Sequence, residues 1–457
     1  MTFCNGRQRP GGRVGGGAPT RGGSARDTVK GMSRTTRLLR SAQFPAILLL
    51  LAAGLGLLLA NLPSHDAVAG ILDAHLAVPG TGLDLSVEHW ISDGILAIFF
   101  FVVALELQFE LTRGELNSPR AAVQPAIAAA GGILVPIAVY LVIAGGGPSA
   151  TGWPIPTATD IAFALGVLAV FGRGLPSAVR VFLLALAILD DIVGIVFIAV
   201  LFADGLDLVR LGLGIVAVIV FAVLSRTLQR RRRLDPLIVM LMIIVGVVAW
   251  ALFALSGVHA TIAGVMLGLV MAPRASERTR HTLEPWVNGL VLPLFAFVAA
   301  FVVIPQVPLT ALSPAFFGIL IALPVGKLLG ISLFGLVAQR IRPRGTPPTI
   351  RFPDLLAAGA LGGIGFTVSL LLANLAFATQ AEVRDEAVLA VLLGSIVSLV
   401  LGATLVSWRA KVHRAAGASD EEFGDDDDLW VAHTDAVRTQ ADREERFDER
   451  HDGPGTH

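Results

Sequence analysis

The sequence predicts an all-α integral membrane protein of twelve transmembrane helices, and three observations carry that prediction. The first is composition: of 457 residues, 54% are hydrophobic and only 15% charged, proportions of a polytopic membrane protein and of no soluble class. The second is length. Apolar runs of about 17 to 25 residues recur between short polar breaks, enough to cross the hydrocarbon of a bilayer. The third is an alternation of arginine-bearing and arginine-free loops.

The twelve runs cover roughly 43–62, 90–112, 121–145, 155–172, 177–203, 207–226, 236–255, 256–273, 286–304, 314–339, 353–378 and 386–408. Alternate loops hold Arg113 and Arg120, Arg173, Arg230 to Arg233, Arg274 with Arg278 and Arg280, and Arg340 with Arg342, Arg344 and Arg351. The loops at 63–89, 146–153, 256 and its neighbours, and 305–313 contain no Lys or Arg. By the positive-inside rule both termini face the cytoplasm of a bacterial inner membrane, and twelve spans return the chain to its starting side. Arg230 to Arg233 is read as a topogenic patch that also attracts anionic lipid.

Two tails flank this domain of residues 43–409. Residues 1–42 are basic, with nine Arg or Lys against one Asp in the first forty. Residues 410–457 are acidic and include the run Asp425 to Asp428. Both are expected to be disordered and solvated. The first apolar run has span length and lacks a clear small-x-small cleavage site, so no cleavable signal peptide is expected, and Met32 is a second candidate start. The single cysteine, Cys4, supports neither a disulfide framework nor a cysteine metal site. No cofactor and no nucleic-acid partner is expected.

Two spans carry helix breakers. The fourth begins Trp153-Pro-Ile-Pro-Thr-Ala-Thr-Asp160, and the eleventh contains Gly359-Ala-Leu-Gly-Gly-Ile-Gly-Phe366. Proline removes a donor and clashes with the preceding turn, and clustered glycine weakens a helix. Unwound backbone survives at membrane depth only where it lines protein or a water-filled cavity. The breaks fall in the middle members of spans three to five and ten to twelve, the pattern of a transporter built from inverted repeats. The alternative is that Gly and Pro are simply common in membrane helices.

Four ionisable residues lie at core depth: Asp160, Asp190, Asp191 and Lys327. Each ionised residue at the centre of a span costs about 2.5–3.5 kcal/mol on insertion scales, so the four together approach about 10–14 kcal/mol. They must converge on one another or on water. Neighbouring helical residues point about 100° apart, so Asp190 and Asp191 cannot both face one partner. One faces an ion cavity while the other pairs with Lys327. A purely structural ion pair explains one Asp and the Lys, and leaves two aspartates over.

Hard monovalent cations prefer oxygen, which carboxylates, the Thr159 hydroxyl and the freed carbonyls of broken helices supply. Two carboxylates brought together out of water hold protons more tightly, so such a site binds either protons or a cation. Competition between those ligands, presented alternately to each side, is antiport. A passive cation channel would need a continuous pore and give no proton coupling. Sodium-coupled symport of an organic solute is opposed by Lys327, which leaves little room for a large substrate.

Pro156–Gly166, Ala187–Asp191, Ser256–Gly264, Gly326–Ser332 and Gly362–Thr367 resemble, in order, the motifs of the NhaA-type sodium/proton antiporters, and the likeness covers about residues 44–408. The resemblance implies a twelve-helix inverted-repeat fold whose fourth and eleventh helices are discontinuous and cross. It implies electrogenic exchange of more than one proton for each sodium or lithium ion, serving pH and sodium homeostasis. Asp191 matches the principal ion- and proton-binding carboxylate and Asp160 the assisting one, which together hold sodium. Asp190 and Lys327 match the charge pair beside the site. Thr159 is either a hydroxyl ligand or a cap of the half-helix.

Further residues have two readings each. Glu106 and Glu110 stand at i,i+4 near Arg113, as a solvated helix end would; the resemblance places them in a cytoplasmic pH-responsive funnel with His281. Arg280 stands where the family has an acid, and Glu284 where it has a histidine. Ala299 stands where asparagine is common. His259 is a core imidazole or a pH sensor. Asp93 reads as an N-terminal cap more than as a ligand. Residues 76–86 alternate around Pro79-Gly80 as a β-hairpin would; the family uses a hairpin here to dimerise, so a homodimer is expected.

Overall fold

The computed structural model describes residues 43–79, 83–112, 119–202, 205–230, 236–304, 311–341 and 350–416. Residues 1–42 and 417–457, with Cys4, Met32 and the acidic run Asp425 to Asp428, lie outside them, as do Arg113, Arg231 to Arg233, Arg342 and Arg344; residues 410–415, read from the sequence as the start of a disordered tail, instead continue the last helix. The helices are α1 (Gln43–Ala60), α2 (His65–Leu72), α3 (Val87–Thr112), α4 (Pro119–Ala144), α5 (Ile161–Phe171), α6 (Ser177–Leu201) and α7 (Leu208–Arg230). There follow α8 (Pro236–Ala254), α9 (Thr261–Val270), α10 (Pro273–Ala299), α11 (Pro314–Ile341), α12 (Phe352–Gly362), α13 (Phe366–Ala376) and α14 (Ala381–Ala415).

Among the described residues eight helices are long and apolar enough to cross a membrane, or up to eleven if each of three bent pairs forms one span. The bent pairs are α1 with α2 (114°), Gly147–Thr157 with α5 (49°), and α12 with α13 (47°). This is an all-α membrane protein carrying one small hairpin. In that hairpin β1 (His75–Val78) pairs antiparallel with β2 (Leu83–Ser86), matching His75 with Ser86 and Val78 with Leu83. The Trp90 indole N–H donates to the Leu76 carbonyl at 3.1 Å and ties the hairpin to α3.

Several boundaries differ from the apolar runs. Helix α10 starts at Pro273, because the amphipathic segment through Trp286 continues into the apolar one across a π-helical turn at Val287–Val291. The run at 256–273 yields only the ten-residue α9, since Ser256 and Gly257 turn the chain, Gly257 with φ +81°. Asp93 does not cap α3: Ser86 does, accepting from the His89 N–H. Asp93 lies inside that helix, its carboxylate 3.4 Å from the His259 ring.

Outward faces carry apolar side chains, as at Val142, Leu208, Val209 and Val200, and Asp160, Asp190, Asp191 and Lys327 are buried. With lipid as apolar as leucine, close backbone approach replaces hydrophobic burial as the packing force. Helices α4 and α11 meet at Gly131 and Gly330, where a Cβ on either would run into the other's carbonyl oxygen. Helices α3 and α9 touch at Gly264, whose missing Cβ leaves room for the Ala97 carbonyl. The first of these contacts sits one turn from Lys327.

Candidate functional site

The site forms where the stretch before α5 meets the stretch between α12 and α13. Pro154 and Pro156 interrupt the approach to α5, and Gly362, Gly363 and Gly365 end α12 and separate it from α13. The two irregular stretches satisfy each other: the Asp160 backbone N–H donates to the Ile364 carbonyl at 2.6 Å, and the Ser369 hydroxyl to the Ile155 carbonyl at 2.8 Å. Unpaired backbone at this depth is met by protein groups.

Asp160 sits at both helix starts. Its Oδ1 accepts from the Phe163 N–H at 3.1 Å, capping α5. Its Oδ2 accepts from the Thr367 N–H at 3.2 Å and the Thr367 hydroxyl at 2.8 Å, in the first turn of α13. A carboxylate at a helix N-terminus meets orphan donors and the positive end of the dipole; here one carboxylate serves two helices. The cap of α5 is thus Asp160 and not Thr159.

Thr159 instead joins three elements. Its hydroxyl lies 2.8 Å from both Asp190 Oδ2 and the Gly362 carbonyl, and accepts from Lys327 Nζ at 3.1 Å. Lys327 follows a π-helical turn at Ala322–Gly326, where Pro324 supplies no N–H. Its Nζ donates to Asp190 Oδ2 at 2.6 Å, and both side chains are fully buried.

Asp191, one residue on, points elsewhere. It is 5% exposed, and its Oδ1 has no hydrogen-bond partner among the described residues; Asp190 Oδ1 is likewise unpartnered. Asp190, Asp160, Lys327 and Glu106 all act on it electrostatically. A buried carboxylate oxygen without a donor is costly unless something binds it. Among the described residues no group of three or more His, Cys, Asp or Glu is placed to hold a metal ion, so oxygens from hydroxyls and carbonyls would have to complete a cation shell around the aspartates.

The remaining candidates make none of the hydrogen bonds described at Asp160, Thr159, Asp190 and Lys327. Glu106 meets Arg280 at 3.4 Å, and that guanidinium lies 5.1 Å over the Phe109 ring. Glu110 is buried, Glu284 half-buried and His281 exposed. The His259 Nδ1 lies 2.9 Å from the Thr261 hydroxyl, so its ring is engaged on both sides. The reading of the sequence missed Thr367 and the Gly362 carbonyl as contacts. The available signal was a threonine just after the glycine break, where α13 begins.

The family model for Na+/H+ antiporter 1 matches residues 36–406. The chain is 52% identical over 408 residues to a protein named Na(+)/H(+) antiporter NhaA 2 from Clavibacter michiganensis, covering 89% of this chain and 100% of that one. It is 45% identical over 370 residues to Na(+)/H(+) antiporter NhaA from Tropheryma whipplei, covering 81% and 94%. It is 42% identical over 404 residues to Na(+)/H(+) antiporter NhaA 3 from Streptomyces coelicolor, covering 86% and 83%. With four-fifths of its length matched by the family model, the chain belongs to the Na+/H+ antiporter 1 family.

Proposed function

We propose that the protein is a secondary active transporter that exchanges sodium or lithium for protons across a bacterial inner membrane. The observation that carries this reading is Asp191, a buried carboxylate with an oxygen unpartnered among the described residues, beside a hydrogen-bonded Asp160 and a lysine-paired Asp190. Asp191 takes either a cation or a proton. The neighbouring carboxylates favour any positive ligand there, whereas two uncompensated anions side by side would be expensive. Sodium bound at Asp191 draws on Asp160 and on the Thr159 hydroxyl for further oxygens. Protonation of the same carboxylate releases it, so the two ligands exclude each other. Exchange of more than one proton per sodium ion makes the cycle electrogenic.

The architecture that supports alternating access is twelve spans in two inverted repeats. The half-helix pairs around Asp160 and Gly363 take the place of the fourth and eleventh spans. Both termini face the cytoplasm, with residues 1–42 and 410–457 as tails of the antiporter domain. The Glu106–Arg280 contact, with Glu110, His281 and Glu284, adjusts the response to pH from the cytoplasmic side, and His259 from the opposite one. The hairpin β1–β2 joins two copies in a homodimer.

The decisive measurement uses everted vesicles with an imposed pH gradient. Addition of sodium or lithium collapses the gradient. A sodium flux indifferent to the gradient would refute exchange.

A further inference from the structure

Three ionisable side chains are buried away from the aspartates. Asp354, in the first turn of α12, is 2% exposed; Arg409 and His413, one turn apart on α14, are 5% and 8% exposed. Arg409 Nε donates to Asp354 Oδ1 at 2.8 Å. His413 Nε2 lies 3.1 Å from the same oxygen and 3.1 Å from Arg409 Nη2, closing a triangle as donor to the carboxylate or acceptor from the guanidinium. Burying such groups returns little stability compared with apolar side chains of similar volume. What a charged triangle does supply is one fixed geometry.

That geometry leads to the ion site. From Asp354 to Gly362, α12 rises about 12 Å. Along the way the Leu355 carbonyl accepts from Ser332 of α11 at 3.3 Å, and Gly359 lies against Leu328 and Ser332, one turn or so from Lys327. At its end the Gly362 carbonyl accepts from Thr159. The break at Gly363–Gly365 leaves no continuous helix to hold α12 from its C-terminal side. We propose that Asp354, Arg409 and His413 are positioning residues that clamp α12 to α14 and so hold the Gly362 carbonyl on the Thr159 hydroxyl beside Asp190.

This inference rests on the reading of Thr159 as part of the sodium site, and the test separates the two. Full-length protein in proteoliposomes is assayed for half-saturating sodium and maximal exchange rate. Asp354→Asn with Arg409→Gln removes both charges and strands neither. It is expected to insert, to raise half-saturating sodium about tenfold, as loss of outer-shell support does at metal sites, and to change the maximal rate less than twofold. Thr159→Val raises half-saturating sodium too, and adding it to the neutralised pair raises it no further, because both act through one contact. Unchanged half-saturation in the neutralised pair, with Thr159→Val effective, overturns the clamp alone, as does simple additivity of the two. An ineffective Thr159→Val overturns the reading of the site and the clamp with it. Should the neutralised pair fail to insert, Arg409→Lys and His413→Gln decide by the same criterion.

Discussion

Lys327 Nζ stands 2.6 Å from Asp190 Oδ2, while Oδ1 of the adjacent Asp191 has no hydrogen-bond partner among the described residues. Two adjacent carboxylates on one helix therefore occupy opposite situations, one neutralised and one available. Their substitutions should differ accordingly.

Asp191→Asn is expected to abolish sodium-dependent proton exchange while leaving the amount of inserted protein unchanged. Vesicle assays alongside quantitation of membrane protein check this. Exchange at the wild-type rate would remove Asp191 from the site.

Asp190→Asn should act first on the fold. Removing one partner of a buried pair leaves the other charge uncompensated, at about 3–5 kcal/mol. Thermal unfolding in detergent should show that loss for the single variant, and recovery of much of it when Lys327→Gln is added. Equal melting of Asp190→Asn and wild type would contradict the pairing.

Thr367→Val removes one of three donors to Asp160 and keeps the backbone one. A hydrogen bond to a charged group contributes about 1.5–3 kcal/mol. The variant is expected to shift half-saturating sodium severalfold, and Thr367→Ser to restore it. An unchanged value in the valine variant would mean that Asp160 needs no hydroxyl.

Gly131→Ala should weaken the contact of α4 with α11, since the new methyl would meet the Gly330 carbonyl and the Phe334 side chain. Overpacking of this kind costs about 1–3 kcal/mol. A lower melting temperature together with weaker sodium coupling is the expected pair of readings, because Lys327 rides on the same face of α11. Gly54→Ala, at a position with open space, serves as the control.

Replacing residues 75–86 with a short Gly-Ser linker should yield monomers that still exchange. Every residue of β1 is exposed, so the hairpin presents the side chains of that strand to a second copy. Crosslinking in membranes reads the outcome, and persistence of the dimer would place its interface elsewhere.

Much was legible in the sequence by itself. Span-length apolar runs, the Pro and Gly breaks at 153–160 and 359–366, the hairpin alternation at 76–86 and four charges at core depth are all local patterns. Helical period and the cost of burying charge are local rules too, so they could require that Asp190 and Asp191 diverge and that Lys327 find a carboxylate. They could not choose which aspartate it finds. That choice joins residues 137 positions apart, and the contact of Thr367 with Asp160 spans 207. Both depend on where α4, α6, α11 and the bent pairs ending in α5 and α13 come to rest against one another. The same packing decides that Asp160 and not Thr159 caps α5, that Glu106 meets Arg280, and that Asp354 finds Arg409 and His413 across the fold. Local chemistry determined which groups had to be satisfied, and only tertiary contact, where helices meet through glycine and broken backbone, decided by what.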